Sequence, residues 1–174
     1  MKILKEITDN TVGLSNEVEK FGTPYELRKS ARAIVLNEHG EMATQYLNTY
    51  TYHKLPGGGV DTGETIEQAL KREVLEEVGC DCAVIQELGV TIEYRNKYKL
   101  LHISYGFVAA VVGEVGTPAL EEGEIEEGQE TLWLKPEMVL EKMGSDTPGK
   151  YEGHFILERE KAFLTEFLNK AVNN

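Results

Sequence analysis

Residues 55–80, LPGGGVDTGETIEQALKREVLEEVGC, place a glycine-rich loop directly before an acidic helical segment. In that segment Glu73, Glu76 and Glu77 stand at i, i+3 and i+4, and a helix brings such positions onto one face. Their arc adjoins the apolar arc of the same helix, so we expect the carboxylates at the edge of the buried side. Carboxylates gathered there need a compensating cation, and oxygen-only ligands suit Mg²⁺ or Mn²⁺. The alternative is a solvated acidic face that pairs with neighbouring basic side chains.

The loop before the helix is built to approach a ligand closely. Gly57, Gly58 and Gly59 lack a β-carbon, and Gly63 allows a second sharp turn before the helix starts. A backbone carbonyl of the loop would then lie beside the carboxylates. The loop is not a Walker loop, because no Gly-Lys-Ser/Thr follows it.

Together the loop and helix resemble the signature of the Nudix hydrolase family, G-x5-E-x7-R-E-U-x-E-E-x-G-U, where U is aliphatic. The match runs over residues 58–80, and only Cys80 departs from it at the last position. Cysteine is small and apolar enough to pack there. The matching residues are Gly58, Glu64, Arg72, Glu73, Val74, Glu76, Glu77 and Gly79.

The resemblance implies an α/β (α+β) fold, namely a three-layer α/β/α sandwich with a mixed β-sheet and the signature helix on one side. It implies that Mg²⁺ or Mn²⁺ is bound by the carboxylates of Glu73, Glu76 and Glu77 and by the carbonyl of Gly57. It also implies a catalytic group in which Arg72 orients a glutamate and Glu64 supports the site, its members being Glu64, Arg72, Glu73 and Glu76. The general base would be a signature glutamate or a glutamate of the acidic segment 121–130.

The substrate is harder to assign, because the residues that set specificity fall outside the signature. We expect substrate contacts at Gly58 and Gly59 in the loop, at Arg95 as a phosphate or base contact, and at Tyr52 as a stacking surface. Packing inside the protein is the alternative for Tyr52, and a surface charge is the alternative for Arg95.

The amino-acid composition limits the classes of binding partner. Thirty acidic against eighteen basic residues give a net charge of -12, which is the wrong sign for binding a nucleic-acid polymer or an anionic membrane. A small nucleotide-like substrate remains compatible if a bound metal reverses the local field. The two cysteines form C-x-C, neither a zinc nor a thioredoxin spacing, and no apolar leader or membrane segment is visible. We therefore expect a cytoplasmic protein of one domain, residues 1–174, and a homodimer is compatible with it.

Hydrophobic patterning predicts the main elements. Strands are expected at residues 25–36, 41–47, 83–94, 100–112 and 131–134, and helices at residues 65–78, near 136–142 and from about 153 to 171. Thr65 and Gln68 have capping-box spacing at the start of the first helix, and Gly79 stands where a left-handed residue would end it. Residues 37–40 are expected to form a hairpin turn, and residues 121–130 an acidic loop.

The activity implied by the resemblance is metal-dependent hydrolysis of a phosphoanhydride bond in a nucleoside diphosphate linked to another group. The leading hypothesis is a nucleoside triphosphate pyrophosphohydrolase of the nucleotide-sanitising type, which removes oxidised nucleotides such as 8-oxo-dGTP. The alternatives are a hydrolase of dinucleoside polyphosphates or ADP-sugars, and a non-catalytic ligand-sensing module on the same scaffold.

Overall fold

A computed structural model describes residues 1–15 and 24–172, and a seven-stranded sheet runs through this part of the chain. Its strands are β1 (Ile3–Thr8), β2 (Glu26–Leu36), β3 (Met42–Leu47), β4 (Tyr52–Lys54), β5 (Asp81–Arg95), β6 (Leu100–Val112) and β7 (Gln129–Leu134). They lie in the order β1-β5-β6-β2-β3-β4, and β7 pairs with β3. β1 is parallel to β5 and β2 is parallel to β6, whereas the other pairs are antiparallel. The predicted mixed sheet is therefore confirmed.

Helices cover both faces of this sheet. They are α1 (Ile66–Val78), α2 (Glu122–Glu126), α3 (Pro136–Ser145) and α4 (Tyr151–Val172), with 3-10 turns at Asn10–Val12 and Asn96–Tyr98. Alternate residues of β2 point to opposite faces. Ala31 and Ala33 pack in the cluster on the α1 side, and Ile34 packs in the cluster on the α3 and α4 side. The predicted three-layer α/β/α arrangement is confirmed.

Capping residues at its two ends determine where the helix α1 begins and ends. The Thr65 hydroxyl accepts from the backbone N–H of Gln68, and the Gln68 side chain accepts from the N–H of Thr65. Gly79 ends the helix with a φ of 79°, in the left-handed region that favours glycine. Both predicted caps are confirmed, and α1 differs from its predicted bounds by one residue.

Two strands and one helix differ from expectation. β1 and β4 were not predicted, because β4 has only three residues and β1 mixes Lys5 and Glu6 into its apolar pattern. The prediction of a loop at residues 121–130 is wrong, because α2 and the start of β7 occupy most of it. There the Glu124 carboxylate accepts from the backbone N–H of Glu121 at 2.9 Å and caps the start of α2 although the Ser/Thr pattern is absent.

No helix in residues 1–15 and 24–172 is long and apolar enough to span a membrane. The single domain over residues 1–174 and the homodimer stay predictions.

Candidate metal and phosphate site

The glycine loop lies along β2 as if it were a further strand. Three backbone hydrogen bonds hold it: Ala33 N to Pro56 O at 3.1 Å, Ala31 N to Gly58 O at 3.0 Å and Val60 N to Lys29 O at 3.1 Å. A β-carbon on Gly57, whose φ is +127°, would lie 2.1 Å from the carbonyl oxygen of Ala31. One on Gly58 would lie 2.2 Å from Glu73 Oε1. Gly57 thus permits the close approach to β2, and Gly58 leaves the space that the Glu73 carboxylate fills.

Glu77 is buried under this loop, with 1 % of its surface exposed. Its Oε2 accepts from the backbone N–H of Gly57 at 2.6 Å, and its Oε1 accepts from Lys54 Nζ at 2.9 Å. Burial raises the pKa of Glu77, but the nearby cations Lys54 and Arg32 outweigh it and hold that pKa below its usual value. The carboxylate is therefore charged and held in place at neutral pH.

Arg72 gathers the remaining signature carboxylates. Its Nε donates to Glu64 Oε1 at 2.9 Å, and its Nη1 donates to Glu73 Oε1 at 2.8 Å and to Glu76 Oε2 at 3.1 Å. The remaining nitrogen, Nη2, donates to the carbonyl of Gly59 at 3.0 Å. Burial raises the pKa of Glu73. The hydrogen bond from Arg72 partly offsets this rise, and the nearby charge of Glu77 adds to it. A single guanidinium therefore ties the start of α1, its acidic face and the glycine loop together.

Each predicted metal ligand is already paired with a cation of the protein. Lys54 holds Glu77, Arg72 holds Glu73 and Glu76, and the buried Arg32 donates to the carbonyl of Gly57. Within the described ranges, no three His, Cys, Asp or Glu side chains lie close enough together to form a ready-made metal cluster. The expected convergence on one ion therefore stays a prediction, although a set of hard oxygen donors beside a carbonyl-rich loop fits Mg²⁺ or Mn²⁺.

Two residues of the acidic segment 121–130, Gln129 and Glu124, reach this site. Gln129 Nε2 donates to Glu77 Oε1 at 3.3 Å and to Glu124 Oε1 at 3.5 Å, so it bridges the two carboxylates. Burial, together with the neighbouring Glu77 charge, raises the pKa of Glu124 to about 7. By contrast, Glu127 is bound by Lys150 at 2.6 Å. Glu124 is therefore the glutamate of segment 121–130 that hydrogen bonds connect to the site, and its role as base or ligand stays a prediction.

The structure places two predicted substrate residues inside the protein. Tyr52 is 1 % exposed and lies against Gly153 at the start of α4, so no base can stack on its ring in this conformation. This corrects its expected position at the substrate surface. Arg95 is 6 % exposed and is bound to Glu93 at 2.5 Å, and its guanidinium lies 5.6 Å from the ring centre of Phe155.

The sequence indicated Arg32 only as a candidate phosphate or base contact, and it did not single out two further residues of the site, Lys54 and Gln129. Arg32 had a signal, because it is the single charge in the otherwise apolar run of residues 31–36. Lys54 had no such signal, because it reaches Glu77 across 23 positions, and Gln129 was marked only as part of the acidic segment 121–130.

Comparison with known proteins agrees with this geometry. The NUDIX domain family matches residues 26–152. An 8-oxo-dGTP diphosphatase of Haemophilus influenzae is 35 % identical over 109 residues, which cover 60 % of this chain and 74 % of that enzyme. An RNA pyrophosphohydrolase of Wolbachia pipientis subsp. Culex pipiens is 39 % identical over 61 residues, 34 % of this chain and 38 % of that enzyme. A NUDIX hydrolase from Nitrosomonas europaea shares the fold with a TM-score of 0.61 at 17 % identity, covering 83 % of this chain and 90 % of that one.

The family match spans well over half of the chain, so this protein belongs to the NUDIX family. The expectation of a Nudix hydrolase, a pyrophosphohydrolase enzyme, is confirmed.

Proposed function

We propose that this Nudix hydrolase uses Mg²⁺ or Mn²⁺ to cleave nucleoside triphosphates to the monophosphate and pyrophosphate, with oxidised nucleotides such as 8-oxo-dGTP as its preferred class. The observation that carries the proposal is that the acidic face of α1 lies against a glycine loop whose backbone is close enough to touch it, at Gly57 and Gly58. Similarity to the Haemophilus influenzae enzyme over 74 % of its length supports the substrate class.

The chain's own residues would share the work in three ways. Glu73, Glu76 and Glu77 would hold the ion, which when bound supplies Lewis acidity and offsets charge on the phosphate oxygens. Arg72 would fix the directions of Glu73 and Glu76, because its two donor bonds leave their carboxylates little freedom. Glu124, bridged to the site through Gln129, is the side chain proposed to accept a proton from the attacking water.

A substrate panel tests this proposal. With Mg²⁺ present, release of monophosphate and pyrophosphate is measured for 8-oxo-dGTP, dGTP, ATP, a dinucleoside tetraphosphate, ADP-ribose and 5′-triphosphorylated RNA. The highest kcat/KM is expected for 8-oxo-dGTP, and Glu76→Gln should lower it by roughly 10²-fold or more because a metal ligand is lost. Inertness toward every triphosphate would reject the substrate class. Equal turnover by the wild type and Glu76→Gln would reject the assignment of this helix.

The 5′ end of RNA is a second candidate substrate. The similarity to an RNA pyrophosphohydrolase over 61 residues favours it. The net charge of -12 opposes it, because a polymer of phosphates would be repelled. A kcat/KM for triphosphorylated RNA above that for 8-oxo-dGTP would decide for RNA.

A further inference from the structure

Lys54 is the cation that balances the most deeply buried carboxylate of the site. Its Nζ lies 2.9 Å from Glu77 Oε1, and the exposed fractions of the two side chains are 13 % and 1 %. A buried charge that loses its partner is strongly destabilising. In the absence of metal, Lys54 therefore keeps Glu77 compatible with the interior.

Lys54 is also the least constrained of the cations around the site. Arg72 is bound to three carboxylates and a carbonyl, and Arg32 donates to two backbone carbonyls. Within the described residues, the one hydrogen-bond partner of Lys54 Nζ is Glu77. A lysine ammonium on a flexible four-carbon stem can also change partners with little reorganisation. If a divalent ion takes up Glu77, Lys54 is the cation that it displaces.

We propose that Lys54 is an exchangeable cation: it pairs with Glu77 while the centre is metal-free, and it moves to a substrate phosphate once a divalent ion binds Glu77. This inference rests on the proposed function. Two cations on the same carboxylate repel each other, so the metal and Lys54 compete for Glu77. The displaced ammonium remains largely buried and needs another anion.

The glycine loop indicates where that anion is. Lys54 ends β4 and stands two residues before Pro56, at the entry to the loop whose backbone lies against Glu73 and Glu77. A triphosphate that is cleaved at this site brings its phosphates to the same entry, and an ammonium is a suitable point charge for them. Glu124 is the competing partner for the Lys54 ammonium within the protein, because its carboxylate interacts electrostatically with both Glu77 and Lys54. If the Lys54 ammonium moves to a substrate phosphate it contributes to substrate binding, whereas if it moves to Glu124 it does not.

Metal binding to Lys54→Met tests the competition. Because a competitor of the metal is lost, the dissociation constant for Mn²⁺, followed by electron paramagnetic resonance or calorimetry, should fall about tenfold or more. The metal-free variant should melt at a lower temperature than the wild type, and Mn²⁺ should raise its melting temperature by more. Lys54→Arg keeps the charge and should stay close to the wild type. An unchanged or weaker affinity for Mn²⁺ in Lys54→Met would overturn the proposal.

A matched control is Lys71→Met. Lys71 is an exposed lysine of α1 that pairs with Glu67 at 2.8 Å and touches no predicted ligand. The Lys71→Met variant should have the same Mn²⁺ affinity and melting temperature as the wild type. If Lys54→Met folds only with Mn²⁺ present, that result supports the proposal, and Lys54→Gln then supplies the dissociation constant.

Steady-state kinetics at saturating metal test the destination of the ammonium. Lys54→Met should raise KM for the triphosphate substrate about tenfold with a smaller change in kcat, because a contact to bound phosphate is lost. Lys54→Arg should recover most of the loss. An unchanged KM beside a tightened Mn²⁺ affinity would assign the ammonium to Glu124 and overturn the phosphate contact. Failure of the wild type to bind Mn²⁺ would instead reject the proposed function itself.

Discussion

Gly58→Ala should impair catalysis and leave the fold intact. The backbone of Gly58 lies outside the left-handed region, so alanine can adopt its conformation. The added methyl would lie 2.2 Å from Glu73 Oε1 and 2.3 Å from its Cδ, whereas ordinary contact begins at 3.4 Å. The Glu73 carboxylate must therefore move by more than about 1 Å, which is a movement that the end of a flexible side chain can make.

The expected size of the effect follows from that displacement. A misplacement of about 1 Å in a catalytic site costs about 10²-fold in rate. We therefore expect kcat/KM with Mg²⁺ to fall about 100-fold, while the free energy of unfolding in urea falls by no more than about 1–3 kcal/mol.

Two other glycines provide the comparison. Gly144→Ala places its methyl where no atom outside the backbone of its own helix lies within 4 Å, so activity should be unchanged and stability should stay the same or rise by up to about 1 kcal/mol. Gly57→Ala would collide with the backbone of Ala31 at a φ of +127°, so it should lose stability as well as activity. Full activity in Gly58→Ala, or unfolding as severe as that of Gly57→Ala, would refute the reasoning.

Three further predictions address stability and reactivity. Arg159 is 1 % exposed and is bound to Glu93 at 3.0 Å and to Glu160 at 2.6 Å. Arg159→Met should lower the free energy of unfolding in urea by about 3–5 kcal/mol, because it removes the cation that pairs with these buried carboxylates. A variant as stable as the wild type would contradict this. Burial raises the pKa of Glu158, but its bond to a lysine outweighs this and lowers that pKa below the unfolded value. The charged Glu158 therefore stabilises the fold above the pKa of the unfolded state, and this stabilisation is lost as pH falls through the lower pKa of the folded state. The difference in free energy of unfolding between the wild type and Glu158→Gln should then shrink in acid. A difference that stays constant with pH would refute this prediction. Because Cys80 is buried with its pKa raised to about 11, it should react with a thiol reagent at pH 8 only after unfolding, and rapid labelling of the native protein would count against the structure.

The parts of the fold that sequence predicted are those whose determinants are local. The caps of α1 lie within three residues of the helix ends, and the carboxylates of its acidic face share one helical period. The turn after β2 is equally local, since the backbone N–H of Asn37 donates to the carbonyl of Glu41. Short-range spacing was sufficient for these features.

The parts that sequence did not predict depend on contacts between distant residues. Lys54 and Glu77 are 23 positions apart, and Gln129 reaches Glu77 across 52 positions. The sequence left Tyr52 as either a stacking surface or internal packing, and only the packing of α4 against it decides between them. The acidic segment supplied several glutamates, and only the packing of α2 beside β7 selects Glu124.

The most direct test of the account is a crystal structure of the wild type grown with Mn²⁺ and a non-hydrolysable nucleoside triphosphate, with the ion located by anomalous scattering. We predict an anomalous peak at coordination distance, about 2.1 Å, from carboxylate oxygens of Glu73, Glu76 and Glu77, with phosphate oxygens on its other side. A peak remote from all three side chains, or none at saturating Mn²⁺, would contradict the claim that this helix face holds the ion.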